Sequence, residues 1–121
     1  MTTQEIANEL VSLCKTGKFT DAINSLYSPA IISVEAAAMP GGSREVTGIE
    51  AVLGKAAWWT SNHEVHSAII EGPLVSGASF CVRFCFDVTF KPTGKRFPMD
   101  ELAIYQTADG KIVREEFFYS V

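Results

Sequence analysis

Glu35 has the surroundings that best suit a side chain to proton transfer. It lies in the run IISVEAAA, residues 31–38, where it is the only ionisable residue among apolar and small ones. An apolar cavity disfavours the charged form of a carboxylate, which would suit Glu35 to accept and return a proton. Alternatively, Glu35 leans out of a strand end into water or pairs with Arg44 across the next loop. The residues alone leave both arrangements open.

Both tryptophans and both histidines fall in WWTSNHEVH, residues 58–66. The segment is predicted to be a helix end followed by a strand, in which residues three apart face opposite sides. His63 and His66 therefore cannot share a metal ion, and we predict no metal site. His63 could act as an acid, a base or a hydrogen-bond donor in a pocket, or serve as a structural histidine.

The helix before these histidines, REVTGIEAVLGKAAWWTSN, is predicted to start at Thr47. Trp59 lies one turn beyond Ala56 and two turns beyond Val52, so it should face the rest of the fold. Lys55 lies beside this face and could reach over a pocket rim or extend into water.

Two helices and a strand precede that helix. TTQEIANELVSLCKTG opens with the capping pair Thr2 and Glu5, and FTDAINSLYSP carries Tyr27 near its end. The β-branched run AIISVEAAA predicts a strand, and MPGGS, residues 39–43, predicts a flexible loop that could cover a pocket.

From His63 onward the pattern is that of strands. HEVHSAIIEG is followed by a predicted turn at Gly72-Pro73, and KRFPMDELAIYQTADG ends in a hairpin turn at Asp109-Gly110. Between them the sequence alternates, with one face formed by Phe80, Val82, Phe84, Phe86, Val88 and Phe90. KIVREEFFYSV closes the sheet. The order predicts an α+β fold, with three N-terminal helices packed on one side of a strongly curved, mostly antiparallel sheet.

The bulk composition predicts one globular domain over residues 1–121. The chain is 47% hydrophobic and has a net charge of −4, which argues against nucleic acid as a partner. The start, MTTQEIANELV, is unlike a signal peptide, and no apolar run is long enough to span a membrane, so we expect a cytoplasmic protein without membrane partners. Cys14, Cys81 and Cys85 are expected to be free thiols.

This order of elements resembles the superfamily of SnoaL-like and nuclear transport factor 2-like proteins, which includes ketosteroid isomerase. The resemblance is carried by LYSPAIISVEA, by REVTGIEAV at the third helix and by DGKIVREEFFY at the last hairpin. It covers nearly the whole chain and implies a cone-shaped α+β barrel with an internal apolar pocket. It also implies a homodimer formed through the outer sheet face.

The resemblance also implies which side chains line the pocket. Glu35 matches the general base of ketosteroid isomerase, an Asp in that enzyme. Alternation along the last strand cannot choose a face, but the isomerase turns the positions of Glu115, Phe117 and Tyr119 inward. The expected catalytic groups are Glu35, His63, Glu115 and Tyr119. The expected ligand-binding residues are Tyr27, Val52, Lys55, Trp59, Val82, Phe84, Phe86, Glu101, Tyr105 and Phe117.

The sequence departs from ketosteroid isomerase at its oxyanion hole. The acid of that hole falls on Ala103, and its tyrosine falls near Leu10 or Val11. A plain steroid isomerase is therefore not expected.

Two classes of function follow. One is cofactor-independent acid/base chemistry, by isomerisation, cyclisation or dehydration, on a small, largely apolar molecule that contains a carbonyl. In this scheme Glu35 removes a proton, and His63, Tyr119 or a protonated Glu115 stabilises the enolate oxygen. The other is a non-catalytic dimeric module that binds a ligand or another protein. Neither requires a cofactor.

Overall fold

The computed structural model describes residues 1–38 and 41–120. Its helices are α1 (Thr3–Lys15), α2 (Phe19–Leu26) and α3 (Ile49–Asn62). Its strands are β1 (Tyr27–Val34), β2 (Glu45–Thr47), β3 (His63–Ser76), β4 (Ser79–Phe90), β5 (Lys95–Ala108) and β6 (Lys111–Phe118). Met39 and Pro40, in the predicted MPGGS loop, lie outside the described residues.

The six strands form one sheet in the order β2-β1-β6-β5-β4-β3. Its pairs are antiparallel except for β1 and β6, which run parallel. The predicted α+β class is confirmed, but the sheet is curved and open, with β2 and β3 at its edges, rather than a closed barrel. Register shifts in β3 and β6 bend these strands, as β-bulges do.

The helices cover one face of the sheet and share its core. On α1, Ile6 and Leu10 are buried, and on α2, Ile23 and Leu26 are buried. The predicted alternation of β4 is borne out, since its buried residues are Phe80, Val82, Phe84, Phe86 and Val88. No helix in the described part of the chain is long and apolar enough to cross a membrane.

Three local predictions were wrong. Tyr27 begins β1 instead of continuing the second helix, because Pro29 two residues later cannot extend a helix. Thr47 ends the short strand β2, and α3 starts two residues later. The pair Gly72-Pro73 lies inside β3, where the register with β4 shifts, and the chain reverses only after Ser76.

Gly72 explains how β3 continues through this point. Its φ of +122° suits glycine, and a Cβ there would lie 3.1 Å from the carbonyl oxygen of Cys81 on β4. Gly72, which was predicted to form a turn, therefore lies at a bulge where the backbones of β3 and β4 approach closely.

Candidate functional site

A cavity of about 330 Å³ lies between the helices and the inner face of the sheet. Most of its wall is apolar. Its helical side consists of Leu10, Cys14, Phe19, Ala22, Ile23, Val52, Ala56, Trp58, Trp59 and Thr60, and its sheet side includes Phe84, Phe86, Met99, Tyr105 and Phe117. Seven further side chains with polar or ionisable groups complete it: Tyr27, Glu35, Lys55, His63, Glu101, Glu115 and Tyr119. A small, largely apolar molecule with few polar atoms fits such a lining.

Glu35 faces the cavity from the end of β1 and is held by two donors. The Lys55 ammonium lies 2.7 Å from its Oε1, and the Tyr119 hydroxyl donates to its Oε2 at 2.9 Å. Arg44 does not pair with this carboxylate, because its Nε donates to the backbone carbonyl of Glu35. The sequence left the direction of Glu35 open, and the structure turns it inward.

Lys55 extends into the cavity instead of into water. Its Nζ donates to Ser33 Oγ at 2.6 Å as well as to Glu35, and lies 5.2 Å from the centre of the Phe117 ring. Burial raises the pKa of Tyr119 to about 12, and the neighbouring Glu35 charge acts in the same direction. Tyr119 is therefore a neutral donor to this cluster at ordinary pH.

Glu115 lies deeper in the cavity and is 2% exposed. The Tyr27 hydroxyl donates to its Oε1 at 2.6 Å. Burial raises the pKa of Glu115 to about 7, although the Tyr27 hydrogen bond opposes this shift. Burial and the same carboxylate raise the pKa of Cys14 to about 12, so this thiol is not a nucleophile at neutral pH.

Glu101 differs from the other two carboxyl groups of the cavity because it has no hydrogen-bond or ion-pair partner among the described side chains. Burial raises its pKa to about 7, and the charges of Glu35 and Glu115 act in the same direction. Lys55 is near enough to oppose the shift. A carboxyl group with this pKa and no competing donor can take up and release a proton near neutrality.

His63 is both a structural residue and part of the cavity wall. Its Nδ1–H donates to the Trp59 carbonyl at 2.8 Å, and its ring stacks on the Trp59 ring with centroids 4.4 Å apart. This hydrogen bond fixes the tautomer and leaves Nε2 as an acceptor. His66 lies on the other side of β3 and contacts Thr89.

A bulge in β6 determines which of its side chains face the cavity. Gln106 and Thr107 of β5 pair with Arg114 and Ile112, so Val113 is the extra residue. Alternation therefore restarts beyond the bulge, and Glu115, Phe117 and Tyr119 all line the cavity.

Of the fourteen side chains expected at the site, Val82 is the exception. It lies on the inner face of β4 but is packed in the core at 1% exposure, because the neighbouring Phe80 and Tyr105 rings stack at that end of the sheet. Sequence reasoning missed Ser33, which is fully buried and anchors Lys55. Ser33 could have been predicted to face the cavity, because it lies two residues before Glu35 and therefore on the same side of the strand.

No group of three potential metal ligands is arranged to hold an ion among residues 1–38 and 41–120. The side chains at the cavity can instead move protons, bind an oxygen atom and exclude water. These are the capacities that acid/base chemistry on an organic molecule requires.

Comparison with known proteins agrees with the fold described above. The SnoaL-like domain family profile matches residues 1–119. No curated protein matches the chain. Among solved structures, a Mesorhizobium loti protein provisionally assigned as a SnoaL-like polyketide cyclase is 43% identical, with a TM-score of 0.92 over 98% of this chain and 100% of its own.

Two more distant structures share the fold. An NTF2-like protein from Burkholderia thailandensis is 17% identical, with a TM-score of 0.82 over 99% of this chain and 92% of its own. A Bacillus subtilis protein provisionally assigned as an isomerase is 18% identical, with a TM-score of 0.76 over 99% of this chain and 90% of its own.

Proposed function

The chain belongs to the SnoaL-like domain family, and from this premise we propose that it binds a small, largely apolar molecule with a carbonyl group and catalyses cofactor-independent proton transfer on it. The reaction would be of the isomerase, cyclase or dehydratase type. The observation that supports it best is Glu101, a cavity-lining carboxyl group that has no partner among the side chains the structure describes and a pKa raised to about 7.

We assign the proton acceptor to Glu101 and not to Glu35. Both oxygens of Glu35 already accept hydrogen bonds, from Lys55 and Tyr119, and these would have to break or weaken as a proton arrives. Within residues 1–38 and 41–120, no side chain donates such a bond to Glu101. Glu35 then has the role of balancing and orienting the Lys55 charge.

Two further polar groups extend this scheme. Glu115, whose pKa is also raised to about 7, can take up and release a proton near neutral pH in the deeper part of the cavity. His63 presents Nε2 as an acceptor for a ligand hydroxyl, because its other nitrogen is engaged by Trp59. The apolar walls keep water from the reacting atoms and strengthen each of these interactions.

The proposal can be tested without knowing the natural substrate. 1-Tetralone is a bicyclic ketone with exchangeable protons beside its carbonyl, and their replacement by deuterium in D2O can be followed by NMR. The protein should accelerate this exchange, with a rate that rises with pH and levels off above about pH 7 as Glu101 ionises.

Two variants make the test specific. Glu101→Gln should lower the exchange rate by about 10²–10⁴-fold while tetralone still binds. Glu9→Gln, which removes a carboxylate from the exposed surface of α1, should leave the rate unchanged. Binding of tetralone without accelerated exchange would support the alternative, a ligand-binding module without turnover. That alternative is favoured by the engagement of Glu35 within the protein.

We also propose that two copies of the chain associate through the outer face of the sheet. Exposed apolar side chains lie there on β3, β5 and β6, namely Ile69, Leu74, Leu102, Ile104 and Phe118. An exposed apolar patch of this kind, here divided by β4, is typical of a protein interface. It surrounds an ion-paired group in which Arg83 bridges Glu71 and Asp100, and these charges could set the register of the two copies.

A further inference from the structure

We propose that Lys55 is the electrophile of this cavity: its remaining N–H binds the ligand's carbonyl oxygen and stabilises the negative charge that develops there when Glu101 removes a proton. This inference rests on the proposed function and adds to it the group that replaces the missing oxyanion hole. It also defines the ligand class as ketones or enones with an oxygen that can reach Lys55.

The Lys55 ammonium has one more N–H group than it has oxygen acceptors among the described residues. An ammonium has three N–H groups. Within the described part of the chain, two of them have oxygen acceptors, Glu35 Oε1 at 2.7 Å and Ser33 Oγ at 2.6 Å. The Phe117 ring, whose centre is 5.2 Å away, is too distant to accept a hydrogen bond, although its face favours a cation. The third N–H is therefore available in a cavity that Lys55 lines.

The position of this donor is fixed in advance. Lysine side chains normally move freely, but Lys55 is only 13% exposed and is held from two sides. Ser33 has no exposed surface and sits in the backbone pairing of β1, so it cannot follow a moving ammonium. A preorganised donor contributes more to transition-state stabilisation than one that must be ordered during the reaction. Ser33 is thus a positioning residue for Lys55.

The charges of the cavity favour the same assignment. Among the described residues that line the cavity, Lys55 is the only lysine or arginine. Glu35 neutralises it in the resting state, which permits burial of the pair. Glu101 is close enough for the Lys55 charge to lower its pKa against the effect of burial. A cation and a proton acceptor therefore face one space, as enolate formation from a ketone requires.

A phenol that resembles the enolate tests this inference without any turnover. We choose 4-nitrophenol, whose ionised form is coloured, and follow the ionisation of the bound molecule by absorbance as the pH is varied. A cation at its oxygen favours the phenolate. Bound 4-nitrophenol should therefore ionise at a lower pH on the wild-type protein than on Lys55→Met, with at least a tenfold difference in the ratio of phenolate to phenol.

Other titratable groups also face this space and must be held constant in the comparison. They are the carboxyl groups of Glu35 just after β1, Glu101 on β5 and Glu115 on β6, together with His63, Cys14, Tyr27, Tyr105 and Tyr119. Ser33→Ala removes no charged group, but it takes away both the anchor of the ammonium and a hydrogen bond to Glu115. It should shift the ionisation in the same direction by a smaller amount. Lys15→Met, on the exposed end of α1, should leave it unchanged.

Two results would overturn the inference. One is equal ionisation of bound 4-nitrophenol on the wild type and on Lys55→Met, or on Ser33→Ala if Lys55→Met does not fold by circular dichroism. The other is loss of the shift in Tyr105→Phe but not in Lys55→Met, which would place the donor at the buried Tyr105 phenol. Neither readout depends on catalysis, so inactivity toward tetralone would refute the proposed reaction while leaving this measurement interpretable.

Discussion

The Lys55 ammonium and the Glu35 carboxylate form an ion pair of 2.7 Å inside a largely apolar cavity, where their side chains are only 13% and 16% exposed. Placing two charges there costs hydration energy, which their attraction and their hydrogen bonds to Ser33 and Tyr119 offset. Removing one partner alone leaves the other charge without compensation.

This pairing predicts strong coupling between the two positions. Lys55→Met and Glu35→Gln should each lower the free energy of unfolding, whereas the double variant should lose less than the sum of the two. Urea unfolding of the four proteins at pH 8 would give the interaction energy, which we expect to be roughly 1–3 kcal/mol. Additive effects would mean that the two side chains do not interact in solution.

The buried carboxyl groups predict a loss of stability as pH rises. Burial raises the pKa of Glu101 from 4.5 to about 7, so between these values the folded protein holds a proton that the unfolded chain releases. The contribution of Glu101 to the free energy of unfolding should therefore be fully present below about pH 4.5 and fall until about pH 7. Glu101→Gln should weaken this fall and be more stable than the wild type at pH 8 by roughly 1–3 kcal/mol.

Glu115→Gln is the matched comparison for that experiment, because the pKa of Glu115 is also raised to about 7. The Glu115 charge raises the pKa of Glu101, so the double variant should show the flattest profile, with less than the sum of the two gains. A wild-type stability that rises steadily from pH 4.5 to pH 7 would contradict the burial of both groups.

A bulky side chain inside the cavity should prevent ligand binding without destabilising the fold. Ala56 lines the cavity from α3, and Ala56→Phe would occupy space that a ligand needs. We expect at least a tenfold weaker affinity for 1-tetralone by isothermal titration, with a Tm that is unchanged or higher. Ala57→Phe, one position along on the exposed side of the helix, should bind as the wild type does. Equal binding by both variants would place the ligand elsewhere.

A charge on the outer face of the sheet should disrupt the proposed dimer. Leu102 is exposed on β5 between the apolar Phe118 and the charged Arg83. Leu102→Glu should convert dimer to monomer in sedimentation velocity, because a carboxylate buried in the interface would have no partner. Asn24→Glu, exposed on α2, should leave the association intact. A wild-type protein that sediments as a monomer would refute the interface directly.

The fold was largely predictable because its signals are periodic. The alternation of β4 and the Asp109-Gly110 turn each depend on neighbouring residues, and both appear as expected. The prediction of a turn at Gly72-Pro73 was wrong because the same residue types occur in turns and in β-bulges. The choice between these depends on the partner strand, and here the close approach of Cys81 decides it.

Which side chains line the cavity was largely predictable, but the contacts among them were less so. Alternation and the family resemblance brought Glu35, Lys55 and Tyr119 to one cavity, but neither could show that Lys55 turns inward to meet Glu35. A lysine beside a cavity extends either into water or toward an acid, and only the three-dimensional position of the acid decides. The same reason applies to Glu101, because its proposed role depends on Lys55 and Tyr119 being directed to Glu35.

The parallel pairing of β1 with β6 also bears on how the protein folds. It joins early and late parts of the chain, and the hydrogen bonds Tyr27–Glu115 and Tyr119–Glu35 close loops of 88 and 84 residues. Contacts at such sequence separation have a high entropic cost and form slowly. Nascent chains that lack β6 cannot assemble the polar end of the cavity, so we expect ligand affinity to appear in refolding kinetics only with the last, rate-limiting phase.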